Sequence, residues 1–152
     1  MQNLKILNKK QIKNLLELIK NQWGCDVELD YVFLINQKNK VFLANRELFD
    51  VDLKKLRVNS LGLYFGEQVN EKEFRLSIEG SQLIGPKATK NVVELDDSEA
   101  RLWLKGEDIE KEVDCNGFVI IKNSDDYMGS GKIKDNKILN YVPKTRRLAV
   151  SD

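Results

Sequence analysis

"GFVIIKNSDDYMGSGKIKDNKILNYVP", residues 117–143, is the stretch on which the fold turns. Phe118-Val119-Ile120-Ile121 are consecutive apolar residues with no polar alternation. A short run of that kind beside a glycine predicts a buried strand. Farther along, Asp135-Asn136 separates "GSGKIK" from "KILNYV". That spacing predicts a hairpin with a two-residue turn. In that register Lys134 faces Lys137 and Lys132 faces Leu139 on one side of the ribbon. Tyr141 falls on the same side. Ile133 and Ile138 pair on the other, which is the natural core side.

Working outward, "KNVVEL" (90–95) predicts a strand, and Asp96 with Glu99 three residues later predicts a capped helix start. Ala100, Trp103 and Leu104 supply that helix's apolar face, and Gly106 is placed to stop it. "DIEKEV" reads as a charged connection and "RRLAV" as a last short strand. One helix among about five short strands predicts a small barrel-like sheet with a helix on one side.

The first half reads as a mixed α/β unit. Asn8 and Gln11 form a capping-box pair ahead of Ile12, Leu15, Leu16, Ile19 and Trp23, with Gly24 to end the helix. This predicts an amphipathic helix over residues 9–23 whose apolar face packs on the protein's own sheet or meets a partner. "YVFLI" (31–35) and "KVFLA" (40–44) predict a hairpin. Asp52 is placed to cap a short helical turn through Leu56. "NSLGLYFGEQV" and "EFRLSI" predict two strands, and "EGSQLIGPK" breaks the pattern. Gly85-Pro86 marks a boundary. The expected organisation is α+β, with one domain over 1–86 and another over 87–152.

The chain has 152 residues, 41% of them hydrophobic and 32% charged, enough to bury a core. No run of about 18 apolar residues is present, which excludes a transmembrane helix, and the lysine-rich N-terminus does not read as a secretory signal. The expected compartment is the cytoplasm. Cys25 and Cys115 are far apart and form no CxxC pair, so no metal or other cofactor is expected. There is no histidine, which removes the commonest general base and the commonest metal ligand. No enzyme activity is expected.

"MGSGK" (128–132) invites a phosphate-loop reading and fails it. Asp126 stands where the loop needs glycine, and Ile133 where it needs Ser or Thr. A dinucleotide fingerprint would need glycine at Lys134 and a helix afterward. Gly129 and Gly131 are better read as a bulge or a close backbone approach. Asp125-Asp126 could form a catalytic dyad, but neighbours in a turn point apart.

Charge is unevenly placed in a chain with 25 basic and 24 acidic side chains. Residues 129–148 hold Lys132, Lys134, Lys137, Lys144, Arg146 and Arg147 against Asp135 alone. Residues 94–126 hold eleven acids against four bases. Lysines facing each other across a ribbon repel, so this side is either a solvated face or a face for an anion. A phosphate backbone suits the lysines and arginines, and Tyr141 suits stacking on an unpaired base. A membrane surface fits poorly, because no amphipathic basic helix accompanies them.

Several stretches occur in a familiar order: "SLGLYFG" (60–66), "EFRLSIEG" (73–80), Pro86-Lys87-Ala88, "LWLKGEDI" (102–109), "NGFVII" (116–121) and "MGSGK". In this the chain resembles ribosome-biogenesis factors that pair a pre-PUA domain with a C-terminal PUA domain. The second half is also similar to the PUA-like tail of Sun-type RNA cytosine methyltransferases, through "KNVVEL", Lys105-Gly106-Glu107-Asp108, the Gly129–Gly131 pair and "NYVPKTRRL" (140–148). The resemblance implies a PUA pseudobarrel from about residue 87. It also implies RNA, rRNA or tRNA, as partner, met by Lys132, Lys134, Lys144, Arg146 and Arg147. The loop after the helix, "KGEDIEKEVDCNG" (105–117), departs from the family pattern in being acidic and lacking Pro-Gly. The contact is therefore expected on the C-terminal strands. A second expectation is an adaptor whose acidic stretch docks an RNA-modifying enzyme or a ribosome-assembly protein.

Overall fold

A computed structural model of the chain describes residues 4–46 and 62–148. The turn expected at Asp52–Leu56 lies outside these residues. The elements run β1 (Lys5–Ile6), α1 (Lys9–Trp23), β2 (Val32–Ile35), β3 (Lys40–Ala44), β4 (Leu63–Gln68), β5 (Phe74–Leu76) and α2 (Ile78–Ile84). There follow β6 (Val92–Glu94), α3 (Asp97–Leu104), β7 (Ile109–Glu110), β8 (Phe118–Asn123), β9 (Asp126–Lys134) and β10 (Lys137–Asn140). Short 3-10 turns occupy Gly85–Lys87 and Lys144–Arg146. Among the described residues no helix is long and apolar enough to cross a membrane.

The strands form two five-stranded sheets, ordered β1-β2-β3-β4-β5 and β6-β8-β9-β10-β7. Helix α1 begins at Asn8, whose side chain accepts from the Gln11 amide while the Gln11 side chain accepts from Asn8. It ends at Gly24 in the left-handed region, φ 68°, a conformation that carries no steric cost for glycine. Its Leu15, Leu18, Ile19 and Trp23 are buried with Phe33, Phe65 and Phe74 of the first sheet. Fully burying each such side chain is worth about 1.5–3 kcal/mol. The helix face thus packs on the protein's own sheet.

Helix α2 falls where "EGSQLIGPK" predicts a break in the pattern. Ser77 caps it by accepting from the Gly80 amide. Gly80 is required there, because a Cβ would come within 2.1 Å of the Phe65 carbonyl oxygen. Helix propensity argues against a short segment that contains Gly80 and ends at Gly85-Pro86. Close packing against both β4 and β9 makes it a helix nonetheless. The boundary expected at residue 86 falls in the 3-10 turn that follows.

In the second sheet, β8 is the parallel neighbour of β6 and the antiparallel neighbour of β9. Phe118 through Ile121 are all buried. Phe118 and Ile120 join the first core beside Phe65 and Trp23. Val119 and Ile121 join a second core around Trp103, Ile109 and Ile138. This is the physical reason for the unalternating apolar run: each face of the strand serves a different core. Helix α3 has the capping box expected of Asp96 and Glu99, and the Trp103 indole donates to the Met128 carbonyl at 3.0 Å.

The glycines of "MGSGK" are strand features. Pairing runs from Phe118↔Lys132 to Ile120↔Ser130, then slips to Lys122↔Tyr127, leaving an extra β9 residue at Met128-Gly129. Gly129 has φ 95° at this bulge. At Gly131 a Cβ would lie 2.5 Å from the Ile138 side chain and 2.9 Å from the Trp103 ring. The bulge aims the strand at the first half of the chain. The Gly129 amide donates to Ser81 Oγ at 2.9 Å, and Ser130 Oγ donates to the Leu76 carbonyl at 2.8 Å.

Two further expectations need correction. "RRLAV" forms no strand over its described residues: Arg147 is extended after the 3-10 turn, and the Leu148 amide donates to the Leu104 carbonyl. "DIEKEV" is more than a connection, since Ile109–Glu110 is strand β7, paired with β10 at the sheet edge.

Candidate nucleic-acid interface

The hairpin has the expected register: Lys137↔Lys134, Ile138↔Ile133 and Leu139↔Lys132. Asp135 and Asn136 have φ 52° and 59°, the double positive φ of a type I′ turn, whose twist matches the strands it joins. Ile138 is fully buried and Ile133 partly so, in the Trp103 core. The lysines project from the opposite side. Strand β7 adds a neighbour: Lys137 also pairs with Glu110. The row across three strands is therefore Lys134, Lys137, Glu110, so the like-charge repulsion is partly offset. Among the described residues, no carboxylate forms an ion pair with Lys132, Lys134 or Lys137 within 4.0 Å.

From the turn the basic side runs toward the junction of the two sheets. The Lys132 ammonium lies 5.0 Å from the centroid of the Phe118 ring. Tyr141 meets Phe118 edge to face, with centroids 5.7 Å apart. The Tyr141 ring is in turn covered by the Arg75 guanidinium at 4.6 Å. Tyr141 is 37% exposed. Its position is fixed by Asn140, whose side-chain amide donates to the Trp103 and Glu107 carbonyls and whose side-chain oxygen accepts from the Val142 amide.

The C-terminal cations separate into different roles. Lys144 is exposed on the 3-10 turn. Arg146 pairs with Glu79 of α2, Nη1 to Oε1 at 2.6 Å. Arg147 is half-buried, and its Nε donates to the Val142 carbonyl at 3.0 Å. Its side chain lies over Gly106, which has φ 94° and where a Cβ would come within 2.4 Å of the Arg147 chain. Arg147 thus fastens the segment after Pro143 to the turn that follows α3. Of the residues singled out from sequence, Lys132, Lys134, Lys137 and Tyr141 lie along one side of the ribbon, with Lys144 exposed beyond it.

Where Tyr141 reaches the first sheet there is a cleft of about 270 Å³. Tyr64, Arg75, Tyr141 and Arg146 line it, with Lys40 and Glu79 at its walls. Lys40 sits 5.7 Å from the Tyr64 ring, and Arg75 Nη2 is 3.4 Å from Glu67 Oε1. Burial pushes the Tyr64 hydroxyl above its usual value, with the Arg75 cation opposing that shift and Glu67 adding to it. Arg75 and Tyr64 were not singled out from sequence. The only local signal is Arg75 alternating with buried Phe74 and Leu76, and nothing nearby in the chain announces Tyr141 as its neighbour.

The acidic stretch is a surface. Of its eleven acids only Glu99 is half-buried and the rest are exposed, including Asp125-Asp126. Lys111 Nζ donates to Glu99 at 2.9 Å and to the Glu94 carbonyl at 3.2 Å. Both cysteines are free, and burial is the main cause raising each thiol's pKa, with Asp26 beside Cys25 and Asp114 beside Cys115 adding to it. Neither resembles an activated nucleophile.

Residues 90–148 match the family profile described as the methyltransferase RsmF PUA domain. The chain is 33% identical over 91 residues to the ribosomal RNA small subunit methyltransferase F of Aeromonas salmonicida (strain A449), an alignment covering 59% of this chain and 19% of that protein. It is 29% identical over 93 residues to the enzyme of the same name from Vibrio cholerae serotype O1 (strain M66-2), covering 60% of this chain and 20% of the relative. The aligned part is thus about a fifth of each relative's length. Each alignment is longer than the stretch from residue 90 to the chain end, so the likeness reaches into the first half. The second half is a PUA-like domain resembling Sun-type tails.

Proposed function

We propose that this chain is an RNA-binding protein without catalysis of its own, serving ribosome assembly or the modification of rRNA or tRNA in the cytoplasm. The observation that carries this reading is the row of cations on the β9–β10 ribbon. Lys132, Lys134 and Lys137 project from one side with no ion-pair partner among the described residues. They do so inside the stretch that matches a PUA domain of an rRNA methyltransferase family. Two facing lysines and a third beside them offer a row of positive charge to a phosphate backbone. The backbone of the ribbon is held because its reverse packs into the Trp103 core, so the lysine stems start from a fixed row.

The test is binding to rRNA and tRNA fragments across a salt series. Affinity falls steeply and linearly in log–log form as salt rises, and each lysine neutralised lowers the slope by about one. Binding that ignores salt, or no binding, defeats the reading. The adaptor reading is favoured by a different observation, the exposure of nearly all the acids over residues 94–126. It expects a basic protein partner, such as an RNA-modifying enzyme, recovered in equal amount after nuclease treatment.

A further inference from the structure

We infer that the cleft between the two sheets holds one unpaired nucleotide of the bound RNA, its base on the Arg75–Tyr141 stack and its phosphate among Lys40, Arg75 and Arg146. The inference rests on the RNA-binding reading above and deepens it by adding a second contact point, built largely from residues outside the 90–148 match.

Size is the first argument. A cleft of about 270 Å³ falls just below the roughly 300–1,000 Å³ of sites for whole small molecules. It suits a single nucleotide rather than a dinucleotide cofactor. Surface chemistry is the second. The planar guanidinium of Arg75 lies over the Tyr141 ring, 4.6 Å from its centroid. Such a plane is a platform on which an unpaired base stacks, since every base offers a π face. Tyr64 supplies a second ring from the other half of the chain.

Charge is the third argument. Lys40, Arg75 and Arg146 line the cleft against the single carboxylate Glu79, with Glu67 behind Arg75. Glu79 holds Arg146 at 2.6 Å, yet the two side chains are 30% and 48% exposed. A pair that wet is worth at most about 1 kcal/mol, so a phosphate can draw Arg146 away from it. Continuity is the fourth. Lys132, Phe118, Tyr141 and Arg75 touch in sequence, so a strand whose phosphates follow the ribbon lysines is led into the cleft.

The test compares two RNA hairpins of equal length and charge with the same structured loop, one with a fully paired stem and one with a single unpaired uridine in its stem. Wild type prefers the bulged RNA by about tenfold. Tyr141→Ala and, separately, Arg75→Gln abolish the preference, so that each variant binds the bulged and the paired hairpin equally. Tyr141→Phe keeps it. Glu79→Gln tightens the bulged RNA by up to about fivefold, because it frees Arg146 and removes the opposing charge. A 4-thiouridine at the bulge crosslinks to the peptides carrying Arg75 or Tyr141. The inference is overturned if no preference exists. It also falls if the preference survives both substitutions in variants whose circular dichroism and urea midpoints match wild type. Free UMP binding as tightly as the bulged RNA, with the same residue dependence, makes the cleft a mononucleotide site and also overturns it. Failure of both hairpins to bind defeats the RNA reading itself. Binding of both that depends on the ribbon lysines alone defeats only the cleft.

Discussion

The lysines of the β9–β10 ribbon and the arginines that end the described chain belong to one basic stretch, yet the fold uses them differently. Lys134 and Lys137 stand opposite one another at a tight turn and, among the described residues, meet no carboxylate within ion-pair distance. Arg146 rests on Glu79 in a wet pair that a stronger anion can displace, and Arg147 is held by the Val142 carbonyl and the surface of Gly106. Positive charge in a sequence is therefore not the same as positive charge available to a ligand. Lysine has a compact head on a flexible stem and leaves water reluctantly, whereas the planar arginine fork satisfies several acceptors at once. Here the arginines close contacts between distant segments and the lysines remain presented.

The contrast breaks if the lysines turn out dispensable. Reversing two of them, Lys134→Glu with Lys137→Glu, is expected to weaken RNA binding about 30- to 100-fold at low salt, while the urea midpoint stays within error. Filter binding and a urea titration measure the two halves of that statement, and a folded variant with unchanged affinity removes the ribbon from the interface.

The next effect is on stability. Gly106→Ala places a side chain at φ 94° against the Arg147 chain, at an expected cost of about 1–3 kcal/mol. Arg147→Ala, which loses only the Val142 hydrogen bond and its packing, costs about 1 kcal/mol. Both leave the RNA salt slope unchanged; a slope lowered by Arg147→Ala would place that guanidinium on phosphate after all.

A smaller effect tests the other arginine. In a double-mutant cycle, Arg146→Ala and Glu79→Ala are expected to couple by less than about 1 kcal/mol, since both side chains are substantially wet. A coupling several times larger would mean that the pair is a structural clasp and that Arg146 is not free to leave it.

The smallest effect concerns the alkaline limb. Burial holds the Tyr64 hydroxyl above its ordinary value of 10.0, so the folded state keeps a proton that the unfolded chain releases. Tyr64's contribution is whole below pH ~10 and is lost as pH rises from there through the folded-state value. Tyr64→Phe is expected to flatten the stability curve above pH ~10 and leave it unchanged near neutrality. An unaltered alkaline limb would mean that the ring is better solvated than its packing indicates.

What was readable in the sequence follows the reach of each signal. Asn8 with Gln11, Asp96 with Glu99, and Asp135-Asn136 act over a few residues, and both helix starts and the hairpin register came out as their spacing predicts. The apolar run of β8 announced a buried strand, though not that its two faces serve separate cores. Strand β7 escaped notice because two residues carry no period, and its strand character comes wholly from pairing with β10. Helix α2 escaped because its stability is tertiary: Gly80 lowers its propensity and also lets it settle against Phe65. The candidate site divides the same way. The ribbon lysines follow from local pairing, while Arg75, Tyr64 and the diverted arginines depend on contacts between distant parts of the chain.

The run from Phe118 to Ile121 also limits how this protein can be recombined. A fragment cut at residue 90 would keep all the positions that match the PUA profile. It would also carry Phe118, Ile120 and Val92 without the Phe65 and Trp23 side that covers them. Such a bared apolar patch favours self-association. As an engineering cassette, then, the second half is not portable by itself. A working fusion has to bring the first sheet along or resurface those positions, and exchange between proteins is easier outside the double-faced strand than across it.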